Sequence, residues 1–111
     1  ETAPIITSVR LEEVPFENGR YRIPSNTPVK ITAVVSGAQV VTAYLIPQGV
    51  VSGGTPTRVS TLKLGSAAEE NSTYIGTFKI ASGTFVNGEL EMRARNVKGE
   101  SASLFLKVAA Q

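Results

Sequence analysis

Apolar and polar residues alternate along most of the chain with a period of two. From Val29 to Val35, Val29, Ile31, Ala33 and Val35 share one face, while Lys30 and Thr32 take the other. That spacing predicts a strand buried on one side, because successive side chains leave a pleated backbone in opposite directions. The pattern returns from Thr73, with Tyr74, Gly76, Phe78 and Ile80 in phase. Between Gly88 and Arg95 it assigns Leu90, Met92 and Ala94 to the interior, and Glu89, Glu91, Arg93 and Arg95 to solvent. Between Ser101 and Val108 it assigns Leu104, Leu106 and Val108 inward, leaving Phe105 on the opposite face.

Weaker stretches complete the set. Pro4 to Leu11 predicts a first strand, with Pro4 at an edge. Tyr21 to Ile23 predicts a short strand, and Thr57 to Leu64 another with Leu62 and Leu64 inward. Pro, Gly and Asn clusters predict loops at Glu12 to Gly19, Pro24 to Pro28 and Pro47 to Pro56. Gly65 to Ser72 and Ala81 to Gly88 also read as loops, and Asn96 to Gly99 as a hairpin turn with Gly99 at positive φ. No segment keeps a 3.6-residue period over a helix length. Seven or eight short strands joined mostly by short loops predict antiparallel pairing in a sandwich or barrel.

Composition narrows the chemistry. The 111 residues are 41% hydrophobic and 18% charged, the balance of one globular domain. Residues 1–3 and 109–111 are expected to be linker remnants. The chain lacks Cys, His, Trp and Asp, so no disulfide is expected. The usual zinc, copper and iron ligands and the EF-hand pattern are missing, as are the bases of Ser-His and Cys-His catalysis. No catalytic, cofactor-binding or metal-binding residue is assigned, and no enzyme is expected. No apolar run reaches the roughly 18 residues of a membrane span. The chain opens on Glu1 without Met or a signal-like start, as expected of a piece of a longer protein. Its net charge of +2 comes from 11 basic residues spread thinly, which argues against nucleic acid as a partner.

Gly88-x-Leu90-x-Met92-x-Ala94-x-Asn96-x-x-Gly99 is similar to the penultimate-strand pattern of immunoglobulin-like domains. That pattern carries Tyr and Cys where this chain has Leu90 and Met92, so the tyrosine corner and inter-sheet disulfide do not carry over. Tyr74, Gly76, Phe78 and Ile80, followed by Gly83 and Gly88, resemble bacterial Ig-like repeats of secreted and wall-associated proteins. The resemblance implies an all-β, two-sheet antiparallel Ig-like β-sandwich of seven to eight strands without a disulfide. By analogy with such modules, Val41, Ala43 and Leu45 of the strand Gln39 to Ile46 point inward, with Tyr44 on the other face. It further implies a non-catalytic, monomeric domain, extracellular or on the cell surface, serving as spacer or presentation module between neighbouring domains. The alternative is a binding module whose exposed sheet face or end loop meets a cell-wall polymer, a polysaccharide or a protein ligand. The expected core is Ile31, Ala33, Val35, Leu45, Phe78, Ile80, Leu90, Met92, Ala94, Leu104 and Leu106.

Candidate binding residues follow from the strand phases. Arg93 and Arg95 leave one face of one strand, with Lys98 nearby, suited either to an anionic partner or to glutamates on a neighbouring strand. Tyr44, Phe105 and Tyr21 are the aromatics expected outside the core, where a cluster would make a stacking platform. Asn71, Ser72 and Thr73 match the N-glycosylation acceptor, which is a chance match in a bacterial protein. A Lys–Asn cross-link joining Lys30 or Lys79 to Asn96 beside Glu91 is disfavoured, since both lysines alternate with core residues. The loop Gln48 to Thr55 is long enough to form a binding tip.

Overall fold

In a computed structural model, residues 3–48, 56–67 and 71–111 are described. They form nine strands and, among the described residues, no helix. These are β1 (Ile5–Leu11), β2 (Phe16–Glu17), β3 (Arg20–Ile23), β4 (Val29–Ser36), β5 (Val40–Gln48), β6 (Thr57–Ala67), β7 (Ser72–Phe78), β8 (Asn87–Arg95) and β9 (Ser101–Ala110). They lie in one continuous sheet in the order β1-β4-β7-β6-β5-β8-β9-β3-β2. The sheet curls into a β-sandwich, burying one face of β4 and β7 and one face of β5 and β8 in a common core.

The strand that joins the two layers is β6. Its first part, Thr57 to Leu62, pairs with β5, and the part from Lys63 to Ala67 pairs with β7. A register shift between Leu64 and Ser66 marks the changeover, as bulges do where a strand turns the corner of a sandwich. Gly76 of β7 packs against this corner. A Cβ there would stand 2.6 Å from Ser60 Oγ and 2.9 Å from Leu62 Cγ.

Two separate antiparallel sheets are therefore not what forms. The sheet is continuous and mixed, because β3 runs parallel to β9 through Tyr21, Arg22 and Ile23 against Val108, Ala109 and Ala110. The extra strand beyond the expected eight is β2, two residues within the expected turn Glu12 to Gly19. Asn18 and Gly19, both at positive φ, close the β2–β3 hairpin. Ala109 and Ala110, expected as linker, belong to β9. Ala109 is buried, and the Ala110 and Gln111 amides donate to the Val86 and Ile23 carbonyls.

Of the expected core, Ile31, Ala33, Val35, Leu45, Phe78, Ile80, Leu90, Met92 and Ala94 are buried. Leu104 and Leu106 face inward but stay half-buried. Among the described residues, no strand pairs with that stretch of β9 on the side away from β8, since β3 pairs only from Val108 onward. Leu64, expected inward beside Leu62, is 56% exposed even though it pairs with the buried Tyr74, at the point where the register shift begins. Tyr74 is buried, and its hydroxyl donates to the Ala38 carbonyl at 3.1 Å, which satisfies its one polar group.

Candidate functional site

The outer face of β5 and β8 is built from cross-strand rows. Val40 pairs with Arg95, Thr42 with Arg93, and Tyr44 with Glu91. All six alternate with the buried Val41, Ala43, Met92 and Ala94, so they share the side away from the core. On the far side of β5, β6 adds a residue that simple alternation hides. Arg58 has the parity of Leu62, which points it inward on paper. A register shift between Ala43 and Tyr44 pairs Ser60 with Ala43 but Arg58 with Tyr44. The extra residue, Val59, returns Arg58 to the outer face.

Val40, Thr42, Tyr44, Arg58, Arg93 and Arg95 thus line one cleft of about 160 Å³. Arg93 is its most constrained member. Its Cζ lies 4.2 Å from the centroid of the Tyr44 ring, a cation–π distance. Its Nη2 donates to Glu91 Oε1 at 3.0 Å and its Nε to Glu91 Oε2 at 3.3 Å. The Ser103 hydroxyl of β9 donates to the same Glu91 Oε2 at 2.6 Å. The hydrogen bonds from Arg93 hold the Glu91 carboxyl below the usual carboxylate range, against the opposing pull of burial and with help from Ser103 and the guanidinium charge. The same bonds raise the Arg93 guanidinium further above its ordinary value.

The other two arginines differ. Among the described residues, the side chains of Arg58 and Arg95 make no ion pair or hydrogen bond, and both are exposed. The Thr42 hydroxyl likewise has no hydrogen bond among the described residues; Thr42 as a whole is 8% exposed, and its hydroxyl is part of what reaches solvent. Planar guanidinium groups and a hydroxyl are suited to recognising acceptor oxygens. No group of three or more acidic side chains that could hold a metal ion occurs among the described residues.

Tyr44, Arg93 and Arg95 therefore come together, and Arg58, which sequence alternation missed, joins them. Phe105 lies apart. It pairs with Glu91 from β9, half exposed, and does not line the cleft. Tyr21 faces the core side of β3 and stacks edge-on with Phe16 at 4.8 Å, so the three aromatics form no common platform. The ion pair of Arg93 is with Glu91 on its own strand rather than with a neighbouring strand. Asn96 is buried at the β8–β9 turn, where its Oδ1 accepts from the Lys98 and Glu100 amides and its Nδ2 donates to Glu100 Oε1. Gly99 closes this turn at φ 87°, the left-handed conformation expected of it. Lys30 pairs with Glu12, and Lys79 is exposed, so neither is placed for a cross-link to Asn96. Asn71 is exposed and accepts from the Thr7 hydroxyl. Of the proposed binding tip, Gln48 ends β5, while 49–55 lie outside the described residues.

No protein-family model and no curated protein matches the chain. Among solved structures, it is similar to the crystal structure of a Niemann-Pick type C2 protein from Japanese carpenter ant. The TM-score is 0.71 at 12% identity, over 99% of this chain and 94% of that one. At that identity the likeness shows the fold, a β-sandwich. It also corrects the spacer expectation. The matched chain is almost entirely one such sandwich, in a Niemann-Pick type C2 protein rather than in a repeat array, and the spacer role is set aside. No helix among the described residues is long and apolar enough to cross a membrane.

Proposed function

We propose that this domain is a non-catalytic, ligand-binding β-sandwich whose recognition site is the cleft around Tyr44 and Arg93. One observation carries the proposal: three strands, β5, β6 and β8, deliver three arginines, a tyrosine and a buried threonine to one small depression. The fold does not need the three arginines there, since an outer sheet face is satisfied by threonine, tyrosine and β-branched residues. The likeness to a Niemann-Pick type C2 protein supports a ligand-binding sandwich over a spacer. An extracellular setting belongs to the same proposal, and the resemblance of Gly88 to Gly99 to Ig-like domains supports it. Amide-resonance titration with a panel of neutral oligosaccharides and acidic ligands tests it. Shifts confined to residues 40–44, 58 and 91–95 are expected, and a panel that leaves these resonances unmoved overturns it.

A second reading has its own observation. β1 and β9 come close without pairing, and their inward residues Ile6, Val9, Leu104 and Leu106 are only half-buried. An apolar ligand of the lipid class would enter the sandwich along this seam. A fluorescent fatty acid that gains intensity on mixing, and loses it on Leu104→Gln, would favour the seam over the cleft.

A further inference from the structure

We infer that the cleft is a receptor for a single oxyanion group, carboxylate, sulfate or phosphate, held between Arg58 and Arg95 above the Thr42 hydroxyl. The inference rests on the proposed binding role of this cleft and specifies the ligand's chemistry. Charge is the first support. Three guanidinium groups share the cleft and Glu91 neutralises one of them, so three positive charges less one negative leave a local charge of +2. Arg58 and Arg95 carry like charges on the lining of one cleft and have no acidic partner among the described residues. An anion between them offsets those charges and supplies acceptors for both planar donor forks.

The donor inventory is the second support. Arg93 spends Nε and Nη2 on Glu91, which leaves Nη1 without a partner among the described residues. Glu91, fixed in turn by Ser103, holds the guanidinium over the Tyr44 ring. Glu91 and Ser103 are thus positioning residues, and Arg93 is preset before any ligand arrives. Thr42 sits opposite Arg93 in the β5–β8 register, nine-tenths buried, with its hydroxyl unpartnered among the described residues. The hydroxyl keeps contact with solvent on the cleft lining, where it is available to donate to an acceptor oxygen. Size is the third support. A cleft of about 160 Å³ has the volume of roughly five waters, enough for one oxyanion group and its nearest substituents.

The test is a titration of the intact domain with sodium sulfate, inorganic phosphate and glucuronate at constant ionic strength. Sodium chloride and a neutral glucose oligomer serve as controls, and amide and arginine side-chain resonances are followed. Saturable shifts at Thr42, Arg58, Arg93 and Arg95 are expected for at least one oxyanion. Arg58→Gln and Arg95→Gln should each weaken binding by about tenfold, the loss of one charge-assisted donor pair. Both sites are exposed, and an unchanged thermal melt will confirm folding. An effect matched by chloride, or retained in both variants, overturns the inference. Shifts at the cleft with the neutral oligomer alone overturn it too, yet leave the binding role of the cleft intact. Shifts with no ligand overturn both. A polyglucuronate chain compared with free glucuronate identifies the source. Tighter binding per site by the chain indicates a polymer, and equal affinity a small molecule.

Discussion

The pairs β4–β7 and β5–β8 hold the two layers of one sandwich, and their outer faces differ sharply. On β4–β7, Lys30 pairs with Thr77, Thr32 with Ile75, and Val34 with Thr73. These are mostly threonine and β-branched residues, which suit a pleated surface and ask for no partners. On β5–β8 the same positions hold Thr42 against Arg93, Tyr44 against Glu91 and Val40 against Arg95. The inner faces are alike, with Ile31, Ala33 and Val35 in one layer and Val41, Ala43 and Leu45 in the other, all at 2% exposure or less. Packing therefore accounts for both interiors and for the outer face of β4–β7. It does not account for the arginines on β5–β8, and that residue of unexplained charge is what points to a ligand.

The sharpest way to break the comparison is to damage each interior in turn. Leu90→Ala in β8 and Phe78→Ala in β7 each remove a side chain at most 2% exposed, and each should cost about 3 kcal/mol. Both should lower the melting temperature with one cooperative transition, since one core serves both layers. Two separated transitions in Phe78→Ala would mean that the layers are independent, and the contrast between their outer faces would lose its meaning.

Glycines give the next largest effect and distinguish the layers again. At Gly88, opposite Pro47, a Cβ would lie 2.6 Å from the Ile46 carbonyl oxygen, a backbone atom held in the β5–β8 ladder. Gly88→Ala should cost about 2 kcal/mol, as overpacking does. Gly76→Ala in β7 meets side-chain atoms of Ser60 and Leu62, which can rotate away, so its cost should be smaller. Urea melts of the two variants check the order, and a larger loss at Gly76 would place the rigid seam in the other layer.

Much of this was legible in the chain. Period-two alternation predicted β4, β8 and their buried faces, since strand phase follows directly from side-chain direction. It also predicted that Arg93 and Arg95 share a face. Arg58 was invisible because a bulge at Val59 reverses the parity of its strand, and bulges leave no reliable mark in hydrophobicity. The half-burial of Leu104 and Leu106 was hidden for a different reason. It depends on β3 pairing in parallel with only the end of β9, a contact between residues more than eighty positions apart in the chain. The pairing of Glu91 was obscured by its phase, which placed it in solvent. Its outer-face position is right, but Arg93 and Ser103 close over it and leave it 6% exposed.

That pair supplies a smaller, pH-dependent effect. Glu91→Gln removes the charge that anchors Arg93, and should cost about 1 kcal/mol near neutrality, a modest figure because the Arg93 side chain is 38% exposed. The Glu91 carboxyl is held below its ordinary value chiefly by the Arg93 hydrogen bonds. Its contribution is therefore complete above the ordinary glutamate value of about 4.3, and is lost as pH falls through the lowered folded-state value. The difference in stability between wild type and Glu91→Gln should accordingly shrink in acid. A difference that persists below that window would show that Glu91 acts through shape rather than charge.

The smallest effect carries the most weight for function. Arg58→Gln and Arg95→Gln should each change stability by no more than about 0.5 kcal/mol, the range of surface substitutions without partners. The double variant should be neutral or slightly stabilising, because it removes like charges from the cleft lining. Thr32→Gln, a polar control on the outer face of β4, provides the comparison. If the arginine variants melt like wild type, these side chains contribute nothing to the sandwich, and their convergence answers to something outside it. If either variant loses a kcal/mol or more, that arginine is bracing the β6–β5–β8 junction. The two outer faces would then differ only in how they are held together.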